Sequence, residues 1–194
     1  MNAKPLISHA SLTLAAMLLV AAQGAWAQSN LPENIRVPDG HKMAMTTVGV
    51  GEITYECKEK ASTPGEMEWF FVGPKAQLND TTGKQVGSYF GPPATWQALD
   101  GSKVTGTQLA VAPAGAGNLP YQLVKANPAE GKGAMNGVSY IQRVALKGGA
   151  APASALHSRQ QGPATSSAIP GRLHFLGQPL MRYIVYAASM ETGQ

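Results

Sequence analysis

The spacing of turn residues constrains this chain more than any other feature. From residue 41 onward, clusters of Gly, Pro, Asn and Asp cut the sequence into β-prone runs roughly every 10–15 residues. No stretch carries the 3.6-residue apolar period for more than two turns of helix. Residues 41–50 alternate weakly and read as a first strand. Ile53, Tyr55 and Cys57 then alternate with Thr54, Glu56 and Lys58, the mark of a strand with one buried face. Residues 66–73 bring a strand around Trp69, Phe70, Phe71 and Val72, and Gly73-Pro74 is expected to stop it. Residues 87–93 read as a loop carrying Tyr89 and Phe90. Asp100-Gly101, between strand-like runs at 95–99 and 102–107, is the strongest hairpin signal, with both residues expected at positive φ. Further strands are expected at 119–126 and 138–146. The expected fold class is all-β, an antiparallel sandwich or distorted barrel with long loops.

The chain opens like an export signal. Lys4 supplies a positive start, residues 12–22 are apolar and uncharged, and Ala25-Trp26-Ala27 is the small-x-small pattern of a signal peptidase site, with cleavage expected before Gln28. The apolar run is too short to persist as a membrane span, and no later segment offers one. A periplasmic or extracellular location follows as an expectation. The organisation read from the sequence is a signal peptide at 1–27, an extended lead-in at 28–40, a β-domain at 41–155 and a C-terminal tail at 156–194. Charged residues are 13% of the chain, with a formal net charge of +4 and no Lys/Arg run, so neither nucleic acid nor an anionic membrane is indicated as a partner. Cys57 is the single cysteine; in an oxidising compartment it is a buried small hydrophobe, a free thiol or half of a broken pair.

The chemistry is sparse. There is no phosphate-cradling Gly-rich loop, no G-x-S-x-G elbow, no H-E-x-x-H and no C-x-x-C, so no cofactor is expected and no catalytic residue is named. His41, Met43 and Met45 lie at spacing two and would share one strand face, which suits Cu(I); a Met-lined core face is favoured over it. Trp69, Tyr89, Phe90 and Trp96 offer either a platform for a flat ligand or, the favoured reading, core filling. Arg143, inside a β-rich run, would need a carboxylate if buried, as a structural ion pair or an anion anchor. Asp100 reads as a turn residue rather than a catalytic acid, and Glu56, Glu66 and Glu68 as a solvated strand face rather than paired carboxylates for glycoside chemistry. His157 and His174 fall in the tail and receive no role. The ligand-binding candidates are therefore Trp69, Tyr89, Trp96 and Arg143. The leading functional reading is a non-catalytic envelope or secreted binding protein. The alternatives are a structural or stress-related secreted protein without a pocket, and a carboxylate-dependent hydrolase.

Several strings together resemble one family. They are Tyr55-x-Cys57, Trp69, Pro74-x-Ala76-x-Leu78, Gly91-Pro92, Trp96, Asp100-Gly101-Ser102-Lys103-Val104, Val138-x-Tyr140-Ile141-Gln142-Arg143-Val144 and Gly148-Gly149-x-x-Pro152. Over residues 30–155 the chain resembles the DUF3455 family, bacterial and fungal proteins of unknown function that mostly carry export signals. The resemblance brings no activity, cofactor or catalytic residue. It implies a His shortly before the Gly-Pro-x-Trp segment; Ser88 stands near that place here, and an extra Pro93-Ala94 precedes the Trp.

The resemblance also implies a Cys soon after the Gly-Gly-x-x-Pro string, which would partner Cys57, and a closing strand like Val-Pro-Tyr-x-Ala-x-Tyr. Neither is present, and residues 156–182 lack strand alternation. A one-base shift after Pro152 is permitted by the genetic code to restore both. The expectation from this is that 156–194 does not complete the sheet and leaves an open edge.

Overall fold

The structure is a computed structural model and describes residues 30–151, 174–177 and 180–189. The described residues form nine strands in chain order: β1 (His41–Glu59), β2 (Met67–Asn79), β3 (Gln85–Phe90), β4 (Thr95–Ala98), β5 (Lys103–Ala112), β6 (Tyr121–Ala126), β7 (Val138–Lys147), β8 (His174–Gly177) and β9 (Leu180–Ala188). Among the described residues there is no α-helix, only a 3-10 turn at Glu33–Ile35. All strand pairs are antiparallel. Neighbours run β2-β3-β4-β5-β6-β7-β9-β1, and β1 also pairs with β2, so eight strands close into a barrel and no sandwich forms.

Closure depends on the tail. β9 pairs with β1 from Leu180 opposite Val50 to Ala188 opposite His41, and with β7 on its other side. β8 continues the same register along β1, with Gly177 opposite Ile53. This corrects the expectation of an open edge: the closing strand lies in the existing frame. Met181, Tyr183 and Val185 are buried, and so are Ile184 and Tyr186, because the strand has the barrel interior on one face and a second apolar cluster on the other. The segment between Ala151 and His174, with His157, lies outside the described residues.

Three further expectations change. β2 passes through Gly73-Pro74 instead of ending there. A proline without an N–H is tolerated beside a bulge, and β2 is bulged at Val72, between Gly73 opposite Thr54 and Phe71 opposite Tyr55. Gly73 is required there, since a Cβ would stand 2.2 Å from the carbonyl oxygen of Gly91. The residues read as a loop around Tyr89 form β3, and Tyr89 is core. At the β4–β5 turn only Gly101 has positive φ, at 87°; the loop has three residues rather than two, closed by Ala98 N–H donating to the Ser102 carbonyl at 2.9 Å.

An eight-stranded barrel has an interior just wide enough for side chains to fill or for one small ligand among them. Here Trp96, Tyr89, Tyr183, Leu78, Ile53, Val104 and Ile141 pack inside it, and Gly49 leaves room for the Tyr183 ring, which a Cβ would approach to 3.1 Å. The lead-in is not simply extended. It folds onto the outer face of the barrel, burying Ile35 against Ala112 and Leu123. Asn34 Nδ2 donates to the Val111 carbonyl at 3.0 Å and Gln142 Nε2 to the Ile35 carbonyl at 2.6 Å. The β1–β2 hairpin outgrows the barrel, carrying Phe70, Phe71 and Val72 into solvent.

Candidate functional site

Two places collect the side chains that sequence reasoning singled out. The first is inside the barrel. Alternation along β7 turns Ile141 and Arg143 inward and Gln142 and Val144 outward. Arg143 lies across from Tyr183 on β9, which lies across from Thr47 on β1, so one row of interior positions spans three strands. Tyr89 stacks on Trp96 with ring centroids 4.8 Å apart, and Tyr183 packs on both, at 5.0 and 5.8 Å. Arg143 is half-buried; its Nε and Nη2 donate to the Pro120 carbonyl at 3.2 and 3.0 Å, and it hydrogen-bonds Tyr183. Tyr55 donates to the Gly149 carbonyl at 2.9 Å, and Tyr183 to the Met181 thioether at 2.9 Å.

Burial raises the pKa of all three phenols around this guanidinium, Tyr183 most, while the charge of Arg143 acts the other way on each. Two buried polar atoms here have no partner among the described residues: the Trp96 indole N–H and the Thr47 hydroxyl. No carboxylate among the described residues pairs with Arg143; the ion pairs are Lys58–Glu56, Lys60–Glu66 and Lys103–Glu130. Arg143 is therefore not part of a structural ion pair there. Of the sequence candidates, Tyr89, Trp96 and Arg143 are brought together inside the barrel. Trp69 is not; it sits on the projecting hairpin opposite Cys57, half-buried at the edge of the core. Cys57 is a free thiol among the described residues.

The second place is a groove of about 1120 Å³ on the outer surface of β1, β2 and β3. Val50, Phe90 and Leu180 line it with large apolar side chains 46%, 38% and 48% exposed. Glu52, Lys75, Gln77 and Ser88 add polar groups. Ser88, the residue standing where the resemblance implies a His, is thus a groove residue. Sequence reasoning missed Val50 and Leu180, because only the register of β9 on β1 brings them to one concavity.

The other candidates separate. A bulge between Met43 and Met45 breaks their shared alternation, so the copper arrangement is corrected. Met45 packs toward the interior, Met43 is exposed and accepts from the Thr46 hydroxyl at 3.3 Å, and His41 is held by the carbonyls of Pro38 and Asp39 at 3.1 and 3.2 Å and by an edge contact on Tyr140. Among the described residues no three His, Cys, Asp or Glu side chains are placed to hold a metal ion. Asp100 is fully used as a turn clamp. Oδ1 accepts from the Ser102 hydroxyl and N–H at 2.6 and 2.9 Å, and Oδ2 from Ala134 N–H at 2.7 Å. Chiefly the Ser102 hydroxyl, then the two backbone N–H groups, hold its carboxyl below the ordinary value. Glu56 and Glu66 carry lysine partners on the hairpin, and Glu68 lies across from Lys58. His174 pairs through its backbone with Glu56. No helix among the described residues is long and apolar enough to cross a membrane.

A family model described as a protein of unknown function (DUF3455) matches residues 38–167, and the chain belongs to that family. No curated protein and no solved structure matches it.

Proposed function

We propose that the protein is an exported, non-catalytic binding protein that holds a small molecule with an apolar body and polar groups in the groove over β1, β2 and β3. The observation that carries this reading is the convergence of Val50, Phe90 and Leu180, all left partly exposed, on one concavity rimmed by Glu52, Lys75 and Ser88. Small-molecule sites have this composition, an apolar lining with few polar groups, and volumes of roughly 300–1,000 Å³. The groove is open enough to take such a ligand along the barrel wall. A carboxylate-dependent hydrolase of the glycosidase kind needs two convergent carboxylates, and Glu52 is the single carboxylate among the groove residues. Export rests on the signal-like start of the chain.

Native mass spectrometry of the processed chain, purified from the compartment it is exported to, tests this. A retained adduct that is lost on denaturation and weakened by Leu180→Ser and Phe90→Ser is the expected result. A bare chain mass in every preparation would favour the structural alternative.

A further inference from the structure

Among the described residues, the barrel interior holds an arginine with no carboxylate partner and two buried polar groups with no hydrogen-bond partner. Arg143 presents five N–H donors. Its acceptors among the described residues are the Pro120 carbonyl and the hydroxyl of Tyr183, which also hydrogen-bonds Tyr89 and contacts the Met181 thioether, a weak acceptor. Trp96, 1% exposed, has an indole N–H with no acceptor among the described residues. Thr47, also 1% exposed and in the same cross-strand row as Tyr183 and Arg143, has an unpartnered hydroxyl. Buried polar groups are normally paired, and a buried charge above all, because desolvation without a partner is costly.

The chain itself is poorly placed to supply the missing acceptor. No Asp or Glu occurs between Glu130 and Glu191, so neither β7, nor the β7–β8 connection, nor β8 and β9 carries a carboxylate. The acids of the β1–β2 hairpin that form ion pairs do so with lysines. A group that matched this interior would be small, anionic and rich in acceptors.

We propose that Arg143, Tyr183, Trp96 and Thr47 form an anion-binding site in the barrel interior, for a small oxyanion such as a carboxylate or a phosphate. The fork of the guanidinium takes two oxygens, as planar oxyanions prefer. The indole N–H and the Thr47 hydroxyl supply further donors. The aromatic walls of Tyr89 and Trp96 keep water out and so strengthen each contact. This site is separate from the outer groove, and either can fail without the other.

The test is an NMR titration of the ¹⁵N-labelled processed chain with sodium acetate and, separately, inorganic phosphate, each against sodium chloride at matched ionic strength. The arginine Nε–Hε and tryptophan indole signals are followed. The signals of Arg143 and Trp96 are identified by their loss in Arg143→Lys and Trp96→Phe; Trp69 is the one other indole after residue 27. The expected result is a saturable shift of both signals with acetate or phosphate and no such shift with chloride. The anion that acts distinguishes carboxylate from phosphate. A rise in Tm with the same anion is expected in the wild type and not in Arg143→Lys. If neither signal saturates, or all arginines shift together as they would from ionic strength alone, the site is overturned. If Arg143→Lys does not fold, the wild-type indole shift, with Trp69 as the internal control, decides the matter.

Discussion

Gln142 and Arg143 are neighbours in sequence and opposites in surroundings. Gln142 points outward from β7, is fully buried under the lead-in, and uses both ends of its amide: Nε2 donates to the Ile35 carbonyl and Oε1 accepts from Tyr186 at 3.1 Å. Arg143 points inward among aromatic rings with donors to spare, and the same interior holds a Thr hydroxyl and an indole N–H that have no partner among the described residues. The difference separates two uses of a buried polar group. One is satisfied by the chain and works as a clip between the lead-in and the barrel. The other is left with capacity, and capacity for hydrogen bonding in a closed interior is what a ligand needs.

Four substitutions would break or sharpen that contrast. Trp96→Ala removes the largest ring of the interior and should cost about 3–5 kcal/mol in urea unfolding; a loss below about 1 kcal/mol would mean that the interior is not packed as described. Gln142→Ala should cost about 1–3 kcal/mol, since it removes the buried hydrogen bonds that the Gln142 amide makes to the Ile35 carbonyl and the Tyr186 hydroxyl. It should also release the lead-in, seen as faster amide exchange at Ile35 and Val37. Asp100→Asn reads out as pH dependence. The folded-state pKa of Asp100 lies below the ordinary 3.8, so its stabilisation is present above that value and is lost as pH falls through the folded pKa. The variant should be less stable at neutral pH and show a flatter acid limb below pH 3.8 in thermal melts. Thr47→Val removes an unpartnered buried hydroxyl at nearly constant volume and should change stability by about 1 kcal/mol or less, in either direction. Its sharper use is in anion titrations, where the interior site requires a weaker shift of the Arg143 signal.

Much of this was legible in the sequence where local signals decide. Ile53 and Tyr55 alternate onto the core face as expected, and the runs around Trp96 and Ile141 are interior strands. Arg143 stood out because a charged residue interrupts a β-prone run. The misreadings share a cause, which is that context overrode local punctuation. Gly73-Pro74 reads as a stop, yet a bulge at Val72 lets β2 continue along β1. Gly87 and Ser88 dilute the β-signal of β3, yet pairing on both sides makes Tyr89 a core residue. Met43 and Met45 have strand spacing, yet a bulge between them sends them to different faces. The site residues that were missed, Thr47 and Tyr183, are ordinary strand residues in sequence. Only the long-range register of β1, β9 and β7 puts them in one cross-strand row with Arg143.

β9 was the largest difference. Residues 156–182 lack alternation, and the tail reads as outside the sheet, although Met181, Tyr183 and Val185 alternate with a second buried face at Ile184 and Tyr186. A strand apolar on both faces carries no period-two signal, so its position in the barrel could not be read from pattern alone.

The barrel, the interior row and the groove all depend on β9 lying between β7 and β1. Amide hydrogen exchange across residues 180–188 tests this most directly. The structure requires the amides of Met181 to Tyr186 to exchange as slowly as those of Ile141 to Val144 on β7, with which they share a sheet. Exchange of 180–188 at the rate of an unstructured tail, with β7 still protected, would show that the chain does not close its barrel with this strand and would remove the basis for both sites.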